Sequence, residues 1–413
     1  MILRHLVLVF RNPLWYRKNM ERDISLHEVE VFMRPFGKYF SRSEGRALAS
    51  RYVLGLILEG DRKSVEPMAL RVEASERSLQ RLLTEVKWDT EGVWREYRRR
   101  IMTAHAGTNG LLVVGETLFP KRGGHSVCVA RQYSADPGRM VNCQMATDSI
   151  YVWGNAAMPW GIDLYVPKFW SRSGDKMHRL RRRNAGIPDH VRHRERWMLG
   201  LEQIGQAKGQ GLAIGSVVSG AAFGSVSGFR DQLDEEGIPY VVEVSPDTAV
   251  FPAEPVFVEE ASKRRGRERS RKHHRRFSVD QMPVAVSHVR DAVGAGPPGE
   301  TEPYFFTPRQ VWPAQGYREG IRHKPAWLVV SPPGISAGEG GYRYFLVTLT
   351  DGAALGGLER IGRAWEQAMI CKRFMIEHLG LLHHEGRSWI GWHRHVLLVF
   401  LAWSFLLERE LVC

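Results

Sequence analysis

The sequence predicts an α/β protein, and three observations carry that expectation. Residues from about 25 to 105 place apolar side chains at helical spacing, whereas residues 111 to 167 break into short strand-like runs between turn residues. Residues 212 to 244 then read as strand, glycine-rich turn, helix and strand, an α/β crossover. At 413 residues the chain can bury a large core. A hydrophobic share of 43%, a charged share of 25% and 13 tryptophans exclude a disordered chain.

The elements follow in order. "SRSEGRALASRYVLGLILEG" sets Leu48, Tyr52, Leu56 and Leu58 near one helical face, and "SLQRLLTEVKWD" repeats the pattern. A helical N-terminal region over 1–105 follows. The runs "LLVVGET", "HSVCVARQYS", "VNCQMATDSIYVWG" and "GIDLYVP" predict an antiparallel meander, with "DPGR" marking one of its turns. A basic helix-rich stretch, "HRLRRRNAG" and "HVRHRERWMLGLEQIGQAKGQG", leads into the crossover, whose helix ends at Gly237. Together these make a region over 106–250. An insertion over 251–325 contains "ASKRRGRERSRKHHRR" at 261–276, which has no apolar periodicity. It reads as a basic loop able to lie along a phosphate backbone, or equally as a solvated surface insertion. "PAWLVVSPPG", "YRYFLVTLT" and a long helical C-terminus complete a last region over 326–413.

A formal charge of +13 and a pI near 9.7 favour an anionic partner, nucleic acid first and an acidic membrane surface second. The longest uncharged apolar run, "VLLVFLAWSFLL", is about half of a bilayer span and reads as a buried helix, so no membrane partner is expected. "MILRHLVLVFRN" is too short in its apolar part for a signal peptide and has no small-residue cleavage site. Cys128, Cys143, Cys371 and Cys413 show no CxxC spacing, which fits a reducing cytoplasm and argues against a zinc or disulfide framework.

Five stretches, "RKSVEPMA" (62–69), "LFPKRGGHSVCVARQYS" (118–134), "VNCQMAT" (141–147), "IDLYVPKFW" (162–170) and "GLLHHEGRSWIGWHRHVLL" (380–398), together resemble one family. It is that of bacterial insertion-sequence transposases of the DDE superfamily, in the branch called IS seven-oh-one, related to the IS-four type. The resemblance implies an RNase-H-like core with a β-rich insertion, and an N-terminal helical region that binds DNA or pairs two copies in a homodimer. It also implies three carboxylates holding two divalent ions for phosphodiester cleavage and strand transfer. The location implied is the bacterial cytoplasm, in association with the nucleoid.

Carried over residue by residue, the resemblance fails at the acids. Gly115 stands at the first acid position, with Glu116, Thr117, Phe119, Pro120 and Lys121 matching around it and Leu118 departing. Gly220 stands at the second, with Phe223, Gly224, Phe229 and Arg230 retained. Counting back from Gly380 puts Met369 at or next to the third, and Ile376 where the family has a lysine. Two substitutes come into view. Glu116 neighbours Gly115 on a strand, so a bulge or twist is needed to bring it to the same face. Glu366 lies one helical turn from Met369.

The leading expectation is therefore a DNA-binding transposase relative without strand cleavage, domesticated or decayed, that needs no cofactor. The second is an active DDE-type transposase using displaced acids with Mg2+, and the third an interaction scaffold on the old fold. Lys121, Arg122, Arg131, Lys263, Arg264, Arg265, Arg271, Lys272, Arg387 and Arg394 form the expected nucleic-acid-binding set, weighed against ordinary surface charge. His383, His384, Glu385, His393 and His395 read as a packed helix end in preference to a zinc site.

Overall fold

The computed structural model describes residues 24–105, 107–134, 138–171, 176–259, 277–293, 308–317, 324–331, 341–348 and 354–412. The architecture is α/β, with a helical N-terminal region and a mixed sheet, as an RNase-H-like fold requires. It divides into two compact units, residues 1–215 with 359–413, and residues 216–358.

The first unit opens with α1 (Leu26–Met33), a 3-10 turn (Arg34–Tyr39), α2 (Ser43–Ile57), α3 (Val65–Arg71), α4 (Glu76–Thr84) and α5 (Thr90–Ala104). Three of these helices start on a capping side chain: Ser25 and Glu28 form a reciprocal capping box, and Ser75 and Asp89 each accept a first-turn N–H. The expected stripe Leu48, Tyr52 and Leu56 is buried on α2, while Leu58 lies past the helix end.

The expected antiparallel strands are present, but not as a meander. β1 (Gly110–Pro120) runs antiparallel along one edge of β3 (Arg139–Trp153). β2 (Ala130–Ser134) and β4 (Ala156–Leu164) share the other edge. β1 thus skips β2 and pairs with β3, because the turn at Ser126–Val129 delays β2 until the far edge of β3. β2 is shorter than the run "HSVCVARQYS" suggested. Val129 N–H closes a turn on Ser126 O, and buried Cys128 sits in left-handed backbone at φ 55°, so pairing begins only at Ala130. After a 3-10 turn (Lys168–Ser171) come α6 (Lys176–Asn184) and α7 (Arg196–Gly209), and α7 packs on β1, β3 and β4.

At the start of the second unit, β5 (Ile214–Ser219), whose first two residues belong to the first unit, the short α8 (Ala221–Gly224), α9 (Ser227–Glu235) and β6 (Tyr240–Val244) form the crossover, with β5 and β6 parallel. Gly237 ends α9 at φ 66°, a left-handed position that suits glycine. β7 (Ala249–Phe251), β8 (Phe257–Glu259), β9 (Phe277–Val279), β10 (Val284–Ala285), α10 (Val286–Val293), β11 (Arg309–Pro313), β12 (Ala326–Ser331) and β13 (Arg343–Val347) follow. β6, β13, β12, β11, β7 and β10 pair side by side, all antiparallel, and β8 and β9 form a separate ribbon.

The C-terminus is two helices, α11 (Ala354–Glu377) and α12 (Trp389–Val412). Their break falls at Gly380, φ 65°. The run from Val396 to Phe405 is almost wholly buried against α2, α4, α5 and β4. α12 is long and apolar enough to cross a membrane, but most of that stretch lies inside the protein.

Candidate functional site

β1 sorts its side chains by alternation. Glu116 pairs across the ladder with Thr147, and both turn toward α7: Glu116 accepts from Arg196 at 2.9 Å, and Thr147 donates to Arg196 O at 3.2 Å. Gly115, Thr117 and Phe119 take the opposite face, where Phe119 meets Trp392 of α12 with ring centroids 5.3 Å apart. The β1–β3 register is unbroken from Leu111 to Pro120, so no bulge brings Glu116 round to Gly115's face. Burial raises the Glu116 carboxyl above its ordinary range, and Arg196 opposes that rise.

On Gly115's face the cross-strand partner is Asp148, and α11 presents Lys372 to both. Lys372 Nζ donates to Asp148 Oδ2 at 2.9 Å and Oδ1 at 3.2 Å, and also to Glu116 O. Thr117 Oγ1 donates to Asp148 Oδ2 at 2.7 Å. The pair is enclosed, with side chains 14% and 9% exposed. A Cβ built on Gly115 would lie 3.6 Å from Asp148 Oδ1 and 3.6 Å from Lys372 Nζ. The space beside Gly115 therefore holds a saturated lysine–aspartate pair.

Gly220, in the second unit, is the uncapped residue before α8, and its carbonyl accepts from Phe223 and Gly224. The pattern around it is structural. Phe223 and Phe229 are buried with rings 5.7 Å apart, and buried Arg230 donates to Gly224 O. Met369 is half-buried on α11, three residues before Lys372, and Glu366 is exposed.

The basic residues divide by what they touch. Arg122, Arg131 and Arg387 are exposed. Lys121 is half-buried and donates to His384 O at 2.6 Å, and burial pushes its ammonium down to about 8. Arg394 is corrected. It is buried, stacks on Trp88 with its guanidinium 4.7 Å from the ring, and donates to Leu82 O and Leu83 O, so it is spent on protein and cannot reach a phosphate. Lys263, Arg264, Arg265, Arg271 and Lys272 lie outside the described residues. A cationic element outside the expected set is α6, "KMHRLRRRN", part of the basic helix-rich stretch read from the sequence; no residue of it is buried, and Arg181 donates from it to Gly124 O beside Arg122.

The five sequence stretches interlock. Lys63 N–H donates to His383 Nδ1 at 3.0 Å, Asn142 Nδ2 to Lys121 O at 2.7 Å, and Trp170 Nε1 to Val129 O at 3.1 Å. With the bond from Lys121 to His384, these tie all five to one another. The histidines complete a packed helix end: His395 Nδ1 meets Tyr52 Oη at 2.9 Å, His393 Nδ1 meets Trp389 O at 2.9 Å, and His384 stacks on His395. Among the described residues no three His, Cys, Asp or Glu side chains converge as metal ligands.

A family model described as DDE superfamily endonuclease matches residues 35–322. The chain belongs to this family. No curated protein matches it. For a DDE superfamily endonuclease, DNA is the substrate or partner. The match spans Gly115 and Gly220 and stops before α11. Divalent ions, which the family's chemistry implies, do not fit the residues beside Gly115. That position offers no side-chain oxygen, Glu116 is turned to Arg196, and an ammonium already holds both Asp148 oxygens.

Sequence reasoning missed Asp148 and Lys372. One signal was available: Asp148 is the only acid in the strand Arg139–Trp153, in the middle of a buried run. Its partner Lys372, 224 residues away, could be named only from tertiary structure.

Proposed function

We propose that this DDE superfamily member binds DNA without cleaving it, a transposase-derived binder whose nuclease chemistry has been lost. The observation that carries the reading is the Lys372–Asp148 pair packed against Gly115. Two-metal cleavage needs carboxylates converging on a pair of cations, and here a single carboxylate is neutralised by a lysine of the chain itself. Support for DNA binding comes from the net charge of +13 and from exposed cations beside the same strand, at Arg122 and along α6. Loss of acids with retention of cations favours a polyanion with no bridging metal.

The test uses one set of labelled duplexes with Mg2+, with Mn2+ and with chelator, across a salt series. Binding that weakens with salt, is indifferent to chelator and leaves the strands unnicked is the expected result. Metal-dependent nicking would overturn the reading in favour of displaced acids, and binding indifferent to salt would favour a protein-interaction scaffold.

A further inference from the structure

We propose that Lys372 is a built-in substitute for a divalent cation, seated in an oxygen-lined site of β1 and β3 that the chain could open to metal only by two simultaneous changes. The proposal deepens the loss of nuclease chemistry argued above and rests on it. Around Lys372 Nζ stand both Asp148 oxygens and Glu116 O, with Thr117 Oγ1 bonded to the same carboxylate. These are hard oxygen donors, the type that Mg2+ and Mn2+ take. The ammonium uses all of its donors on them, and the pair is electrically neutral. A divalent ion entering beside it would face an uncompensated positive charge inside a largely enclosed site.

Gly115 completes the argument. The space beside it accepts a Cβ at ordinary contact distance from both Asp148 and Lys372, so an aspartate side chain can begin there without displacing backbone, next to the Lys372 ammonium. Placed there alone, that carboxylate meets the Lys372 ammonium and pairs with it. Removing Lys372 alone leaves one side-chain carboxylate, too few for a tight Mg2+ or Mn2+ site. Only Gly115→Asp together with Lys372→Ala gives two carboxylates, a backbone carbonyl and an empty centre. The lysine thus makes the loss of the metal stable against reversal at a single residue.

The experiment measures Mn2+ uptake by full-length protein, from the decrease of the free-ion electron paramagnetic resonance signal, in the wild type, Asp148→Asn, Gly115→Asp, Lys372→Ala, the double variant and the double variant carrying Asp148→Asn. Uptake by the double variant at least ten-fold tighter than by the wild type or either single variant, and lost with Asp148→Asn, is expected. Wild-type uptake that disappears in Asp148→Asn overturns the proposal. So does Gly115→Asp binding as tightly as the double variant, or a cooperatively melting double variant that takes up no Mn2+. If the double variant does not fold, wild-type uptake lost in Asp148→Asn, or uptake by Gly115→Asp at least ten-fold tighter than by the wild type, still overturns the proposal. Nicking by the wild type without Mn2+ uptake at Asp148 would refute the proposed function and leave this site assignment standing; the reverse pattern would refute only the assignment.

Discussion

His395 is fully enclosed on α12, and its neighbours fix the roles of its two ring nitrogens. Nε2 faces Gly380 O at 3.2 Å and Leu381 O at 3.3 Å, which can only accept, so Nε2 carries the hydrogen and Nδ1 accepts from the Tyr52 hydroxyl. A second proton has no favourable place, and burial pushes His395 down from 6.5 to about 4. His393, bonded to Trp389 O, is likewise held at about 4. The unfolded chain takes up these protons as pH falls through 6.5, whereas the folded chain does not until about 4. Stability is therefore complete above 6.5 and falls between 6.5 and 4, by about 3 kcal/mol for each histidine. Buried His384 is held well below its ordinary value in the same way. Thermal melts at pH 7.5 and pH 5 should show this loss setting in well above the carboxylate range, and His395→Gln should remove only part of it, about a third. Identical pH slopes for the two proteins would show that His395 is not the titrating group.

Two glycines in matched motifs differ in why they are glycine, and the difference is set by the elements they join. At Gly224, where α8 approaches β6, a Cβ would lie 2.1 Å from Glu243 O and 2.8 Å from Val242 Cβ, so backbone must move. Gly224→Ala is expected to destabilise by about 3 kcal/mol, an overpacking cost at the upper end of the usual range. At Gly115 nothing on β1, β3 or α11 comes closer than 3.6 Å, and a strand interior gains by losing a glycine. Gly115→Ala should be neutral or stabilising by up to about 1 kcal/mol. Urea midpoints for the two variants test the contrast; an equal loss at both would mean that Gly115 is also required by packing. The contrast also marks what the sequence could convey. Periodicity identified α2, α4 and the buried C-terminal helix, and turn residues delimited the antiparallel strands and the crossover, because these signals are local. The order in which the strands pair, with β1 on β3 and not on β2, is not a local signal. The alternation rule alone puts Glu116 on the wrong face for Gly115, and the ladder has it there. Arg394 and Lys372 were illegible for the opposite reason. Each is a charged residue on a helix, and only long-range packing decides that one is spent on Trp88 and the other on Asp148.

At the scale of the whole molecule, charge is the property that sequence reads best and local geometry reads worst. Of the cations expected to meet DNA, one is buried and one is tied to a loop carbonyl, yet the surplus of +13 must still reside on other surfaces. In the first unit an unburied basic helix, α6, is tied through Arg181 to the loop that carries Arg122. A duplex lying there would release counterions in proportion to the phosphates neutralised, with log K falling against log salt by about 0.9 per contact. Arg122→Ala and Arg183→Ala, both at exposed positions, should each lower that slope by about one and weaken binding alike on unrelated sequences. Arg394→Ala is the matched control. It removes the same charge from the chain but from a buried position, so it should lower stability and leave the salt slope of the folded protein unchanged. If Arg394→Ala lowered the slope as much as Arg122→Ala, net charge would govern binding and no defined surface would be needed; if only the exposed pair did so, the DNA path runs along α6 and the Arg122 loop.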